Sequence, residues 1–201
     1  KGAMQTQRMV AQKWRRANMD RFAPTAASIT LNFMPMSHSM ARGILYGTLG
    51  HGGTAYFVAK SDLSTLLDDL AVVRPTELSF VPRVWEMLFH EFYSKLARQR
   101  PDSTGQALHD DTEADVLTDL RQRLLGGRYI WAMTSSAPLS DDMKNWVESL
   151  LGTQLIDGYG STEAGIVCLN GHVQRPPVID YKLADVPELG YFSTDQPYPR
   201  G

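Results

Sequence analysis

The strongest constraint on this chain is the way its apolar residues change spacing. They move repeatedly between a period of about two and one of about 3.6 residues, the mark of strands alternating with helices. Leu63, Leu66, Leu67 and Leu70 form one helical face, stopped by Pro75. Leu78 to Val81 reads as a buried strand, and Trp85, Leu88, Phe89, Phe92 and Leu96 as the next helical face. Leu117, Leu120 and Leu124 mark a helix closing at Gly126-Gly127, and Tyr129 to Met133 a strand. Ser140 then caps a helix showing Met143, Trp146, Val147 and Leu150, with Gly152 just past its end. Gln154 to Asp157 completes the series as a strand. Strands separated by helices of roughly 10–15 residues are βαβ units, so the expected fold class is α/β, a parallel sheet with helices on both faces.

The flanks are less regular. Residues 3–19 read as a helix presenting Met9, Val10, Trp14 and Ala17, ended before Pro24. Ile29 to Phe33 is a short strand-like run, Ser39 to Gly50 a closely packed buried helix, and Ala55 to Val58 another strand. Residues 99–112, with Pro101, Gly105 and several acids, read as a solvated loop. Past Ala164 the apolar residues scatter, and Pro176, Pro177, Pro187, Pro197 and Pro199 punctuate short runs such as Ile166–Leu169 and Val178–Leu183. The expected division is a core over residues 1–164 and the start of a β-rich subdomain over 165–201. The chain opens at Lys1-Gly2 without an initiator methionine and reads as a piece of something longer.

Composition removes several classes of function. A net charge of −2 with no long basic run argues against a dedicated nucleic-acid binder. The single cysteine, Cys168, excludes a disulfide framework and a multi-cysteine zinc site, and suits a reducing, cytoplasmic setting. No stretch approaches the ~18 apolar residues of a membrane span. Cys168 lies in an apolar run and is expected to be a buried thiol rather than a nucleophile. His51, His90, His109 and His172 have no metal-ligand spacing to one another.

In an open parallel sheet, ligands bind beyond the carboxyl ends of the strands. Two loops are therefore the first candidates: Thr134-Ser135-Ser136-Ala137-Pro138, and Asp157-Gly158-Tyr159-Gly160-Ser161-Thr162-Glu163. In the second, Gly158 and Gly160 permit close backbone approach, Tyr159 offers a flat face, Thr162 a hydroxyl for a phosphate oxygen, and Glu163 a hard oxygen for Mg²⁺. The bland alternative is a glycine-rich turn with Tyr159 packed inward and Glu163 in water. Pro35-Met36-Ser37-His38-Ser39 leaves another strand end; His38 could orient a carboxylate or merely cap a helix. Glu163 stands where a dinucleotide fingerprint needs its third glycine, and neither a Gly-Lys pair nor a G-x-S-x-G occurs.

Together these segments resemble the adenylate-forming superfamily of acyl-CoA synthetases, luciferases and peptide-synthetase adenylation domains. Tyr159-Gly160-Ser161-Thr162-Glu163 is similar to its Y-G-x-T-E motif, Pro35 to His38 to its P-x-x-H motif, and Ser136-Ala137-Pro138 to its adenine-flanking G-x-A-P segment. Val81-Pro82-Arg83-Val84-Trp85-Glu86 resembles a stretch of long-chain acyl-CoA synthetases, and residues 173–201 resemble bacterial carboxylic acid reductases. The resemblance implies ATP-dependent activation of a carboxylic acid, aromatic or fatty, to an acyl-adenylate with release of pyrophosphate. It implies that Tyr159 stacks on adenine between Ser136, Ala137 and Pro138, with Asp157, Gly158 and Gly160 shaping the pocket. Ser161 and Thr162 would meet phosphate, Glu163 would hold Mg²⁺, and His38 would lie by the substrate carboxylate.

It further implies a phosphopantetheine carrier and an NADPH-dependent reductase domain in the parent enzyme, receiving the acyl group and reducing it to an aldehyde. The rest of the phosphate loop would precede Lys1, and a mobile lid subdomain would follow Gly201. The 201 residues alone are accordingly expected to bind nucleotide weakly and not to turn over. A stand-alone acyl-CoA synthetase shares every site motif as far as Glu163, and a non-catalytic scaffold is the reading from outside enzymology.

Overall fold

The computed structural model describes residues 2–12, 28–99, 107–175 and 178–200. Its elements are α1 (Gln7–Gln12), β1 (Ile29–Asn32), α2 (Ser39–Gly50), β2 (Thr54–Phe57), α3 (Leu66–Val73), β3 (Glu77–Phe80), α4 (Pro82–Gln99), α5 (Ala107–Asp119), β4 (Trp131–Ser135), α6 (Asp141–Leu151), β5 (Leu155–Ser161), β6 (Gly165–Leu169) and β7 (His172–Val173). Strands β3, β4 and β5 are parallel, and β6 and β7 continue the same sheet antiparallel. Strands β1 and β2 form a parallel pair, linked to the start of β3 through Thr76, whose N–H donates to the Ile29 carbonyl.

Alternation along the strands gives the sheet two unlike faces. Leu31, Leu78, Phe80, Ala132 and Leu155 point to one, where α3, α4, α5 and α6 bury Leu66, Leu70, Val84, Trp85, Leu88, Val116, Val147 and Leu150. Ser28, Thr30 and Asn32, Glu77 and Ser79, and Trp131, Met133 and Ser135 point to the other. There Ile156 and Leu169 join Trp131 and Met133, with Met40 of α2 packed on them. The Thr30 and Thr48 hydroxyls meet at 3.1 Å, and Ser28 donates to Glu77 Oε1 at 2.7 Å, so buried polar groups pair here as burial demands. Helices on both faces are thus observed, four on one and α2 on the other.

Local chemistry accounts for the helix ends. Ser140 Oγ accepts from the Met143 N–H, Asp141 and Asp142 occupy the first turn of α6, and Gly152 closes it in the left-handed conformation (φ 67°). Past α5 the helix widens into a π turn over Leu120–Leu124, and Gly126 and Gly127 (φ 82° and 61°) end it as expected.

Several expectations need correction. Helix α5 begins at Ala107, inside the stretch read as a loop, while Pro101 and Gly105 lie outside the described residues. Leu63 precedes α3, with φ 63°, instead of forming its first turn. Helix α2 is only half-buried, with Ala41, Gly47 and Thr48 enclosed and Leu49 exposed, because it packs on one sheet face and leaves its other side open. Strand β4 runs two residues later than expected; Arg128 and Tyr129 precede it, their side chains donating to the carbonyls of Val73, Arg74 and Leu151. Of the helix expected over 3–19, Gln7–Gln12 is present, whereas Trp14, Ala17 and Pro24 lie outside the described residues. The largest correction concerns residues 158–161, expected as a loop, which are strand. Cys168 is half-buried rather than enclosed.

The strands at Gly165–Leu169 and His172–Val173 extend the core sheet. The run at Val178–Leu183 forms no strand, and beyond Val173 the described β structure is a single bridge between Val186 and Tyr191. At the opposite end, Tyr56 and Phe57 of β2 are exposed, beside an edge with no partner strand among the described residues. No helix among the described residues is long and apolar enough to cross a membrane.

Candidate active site

The carboxyl ends of β1, β4 and β5 emerge along one edge of the fold. Ser135 closes β4 and is in register with Gly158 of β5, so Ser136 and Tyr159 are the next residues out on neighbouring parallel strands. Tyr159 is 68% exposed, which rules out the inward-packed alternative. Ser136, Ala137 and Pro138 are exposed beside it. Ser136 has φ 78°, a left-handed conformation that costs a serine roughly 1–2 kcal/mol. Such strain is held where surrounding structure fixes the backbone, and here it turns the chain sharply off the end of β4.

Strand β5 runs on to Ser161 and folds back through Thr162, Glu163 and Ala164 into β6. Glycine at 160 is required because the β6 backbone leaves no room, whereas at 158 a side chain would press on Met133. A Cβ on Gly160 would sit 2.2 Å from the Gly165 carbonyl oxygen, and one on Gly158 3.0 Å from Met133 Sδ. The return turn is tied by the Ala164 N–H donating to Ser161 Oγ at 3.0 Å. Ser161 therefore has a structural bond in addition to any ligand contact. Glu163 is exposed on the turn. Among the described residues no three His, Cys, Asp or Glu side chains converge to form a metal cage. A lone carboxylate at the rim nonetheless suits Mg²⁺, which typically takes one or two protein carboxylates and completes its shell with water and phosphate.

The β1 exit comes to the same place. His38 caps α2, its Nδ1 accepting the Met40 N–H at 3.2 Å, so the helix-cap reading is realised; the side chain is also exposed. Beside it, Ser39 Oγ lies 3.3 Å from Thr162 Oγ1, and Ser135 donates to Met40 Sδ at 3.0 Å. Gln5 Nε2 donates to the Thr162 carbonyl at 3.0 Å, bringing the amino-terminal segment onto the same turn. Thus His38, Ser136 to Pro138, and Asp157 to Glu163 share one edge.

Sequence reasoning passed over Gln5, Ser39 and Met40, whose contacts cross more than ninety positions and leave no local signal. It also passed over Asn170, which faces Asp157 across the sheet; there the Asn170-Gly171 pair, typical of a tight hairpin, was a readable signal.

Residues 1–196 match the sequence profile of the AMP-binding enzymes. The chain belongs to that family. It is similar to the carboxylic acid reductase of Mycobacterium tuberculosis, with 60% identity over 203 residues covering 100% of this chain and 17% of that protein. The adenylation domain of a carboxylate reductase from Mycobacterium chelonae superposes with a TM-score of 0.89 at 48% identity, covering 100% of this chain and 30% of that one. The adenylation domain of the Segniliparus rugosus carboxylic acid reductase, solved with AMP and a co-purified carboxylic acid, gives 0.86 at 48% identity over 100% of this chain and 32% of that one. The chain accordingly spans a small part of its relatives' length and has the fold of the matching part of their adenylation domains.

Proposed function

We propose that this chain is the central part of a nucleotide site that activates a carboxylic acid as its acyl-adenylate, within an enzyme of the carboxylic acid reductase type. The observation that carries the reading is the convergence of three separate strand exits, marked by Ser39 against Thr162 and by Ser135 in register with Gly158. The relative from Segniliparus rugosus, solved with AMP and a carboxylic acid, supports it.

In this reaction a substrate carboxylate oxygen bonds to the α-phosphorus of ATP. The bond from that phosphorus to the bridging oxygen breaks, and pyrophosphate leaves with the electron pair. No nucleophile from the protein is needed; positioning and charge neutralisation lower the barrier. Tyr159, exposed and flanked by glycines, offers its ring to adenine, with Ser136, Ala137 and Pro138 opposite and Asp157, Gly158 and Gly160 as the floor. Ser161 and Thr162 present hydroxyls to phosphate. Glu163 is the residue for Mg²⁺, which when bound offsets phosphate charge. His38 has Nδ1 committed to the helix cap, leaving Nε2 for the acid.

The acyl group then passes to a phosphopantetheine thiol, and NADPH reduces the thioester to an aldehyde in other domains of the parent chain. A cytoplasmic setting belongs to the same proposal. So does the reading of 1–164 as adenylation core and of 165–201 as the opening of a β-rich subdomain, attached through the β6–β7 hairpin.

Calorimetry with AMP on the whole protein tests the site. Tyr159→Ala is expected to weaken binding about tenfold, since base stacking on an aromatic ring is worth about 1–3 kcal/mol. Glu163→Gln is expected to spare AMP affinity while blunting the Mg²⁺ dependence of pyrophosphate release. Unchanged AMP binding in Tyr159→Ala would overturn the proposal.

A further inference from the structure

Resting on that nucleotide-site reading, we infer that Asn170, in the turn between β6 and β7, is a positioning residue that sets the nucleotide-facing end of β5. Gly158 is the residue at which β5 changes company. Residues 155–158 pair in parallel with β4, whereas residues 158–161 pair antiparallel with β6. Beyond Gly158 the β4 partner is gone, so Tyr159 and Gly160 depend on how firmly the strand is held just before them.

The position facing Asp157 on the β6 side is Asn170, but there the chain is already turning. Asn170 and Gly171 have φ 50° and 75° and link the paired residues Leu169 and His172 in a two-residue hairpin. Asn170 nevertheless completes the rung. Its N–H donates to the Asp157 carbonyl at 2.7 Å, and its side-chain Oδ1 accepts the Asp157 N–H, also at 2.7 Å. The side-chain carbonyl thus supplies the acceptor that the turned backbone no longer offers. Both backbone polar groups of Asp157 are held by one residue, and the exposed Asp157 side chain is left for ligand.

The two duties of Asn170 can be separated. Glycine accepts the left-handed turn more readily than asparagine but has no Oδ1, while aspartate keeps both turn and acceptor. In the whole protein, Asn170→Gly is expected to raise the Kd for AMP and the KM for ATP about fivefold, the usual value of one lost hydrogen bond, with kcat changed less than about twofold. Asn170→Asp is expected to restore both constants to within about twofold.

Nucleotide constants unchanged in Asn170→Gly would overturn the inference. So would loss of folding in that variant, or equal loss in the glycine and aspartate variants, because each would reduce Asn170 to a turn residue. Tyr159→Ala, measured alongside, separates the two claims. If it weakens AMP while Asn170→Gly does not, the positioning role alone fails; if neither weakens AMP, the nucleotide site itself fails.

Discussion

The two faces of the central sheet are made from the same strands but answer to different demands. The face under α3 to α6 is apolar from Leu31 to Leu155 and encloses Trp85 and Phe80, whose rings lie 4.9 Å apart. The face under α2 carries buried Ser28, Thr30, Asn32, Glu77, Ser79 and Ser135 among its apolar residues. Among the described residues Asn32 Oδ1, Ser79 Oγ and Trp131 Nε1 on this face lack a partner, as do Trp85 Nε1, Thr134 Oγ1 and Trp146 Nε1 on the other. Each such group costs about 1–3 kcal/mol when dry, and both faces carry that cost. The faces differ in their apolar content: the larger core cluster lies under α3 to α6, and the face richer in buried polar side chains lies under α2.

Neighbouring residues of β5 put the contrast to its hardest test. Leu155→Ala, on the helix-covered face, is expected to lower stability by about 3–4 kcal/mol, because the rigid surroundings of a 1% exposed leucine cannot collapse into the cavity. Ile156→Ala, one position on and facing α2, should fall near the low end at about 2 kcal/mol, since fewer side chains enclose it. Equal losses in urea melts would mean that the faces are energetically alike.

Gly160→Ala comes next. The added methyl would collide with the Gly165 backbone, so about 1–3 kcal/mol of overpacking strain is expected, together with weakened nucleotide binding. A variant with unchanged melting temperature and AMP affinity would show that the close β5–β6 approach is dispensable. Thr30→Val should cost about 1–2 kcal/mol by removing a hydroxyl shared by Thr48 and the Asn32 amide. If it stabilises instead, the polar face is not held by its hydrogen bonds.

The smallest expected effect on folding is that of Tyr159→Ala, within about 0.5 kcal/mol, because the ring is largely in water. This is the variant expected to damage AMP binding. A destabilised Tyr159→Ala would make that residue part of the core and undo the separation between the face that folds and the edge that binds.

The helix-covered half was the more legible in sequence. Leucine spacing in α3, the Trp85-to-Leu96 face of α4 and the Ser140 cap of α6 are local patterns, and each reappears as an element. The polar face was much less legible. Thr30 and Asn32 become a buried surface only when α2 lies over them, a consequence of tertiary packing that no period reports. Glycine misled in the same way: Gly158 and Gly160 announced a loop, while the structure uses them to bring two strands into close contact. The motifs themselves could be read as a set, but their meeting at Ser39 and Thr162, 123 positions apart, is visible only once folded.

The two outer strands carry a practical consequence. At one margin the sheet tapers off in His172–Val173, too short to recruit another strand. In the separate β1–β2 pair, Thr54–Phe57 has an edge with no partner strand among the described residues, and its exposed Tyr56 and Phe57 make it an adhesive rim. A preparation of these residues by themselves should therefore self-associate through that rim as its concentration rises, and a lysine in place of Tyr56 should keep it dispersed.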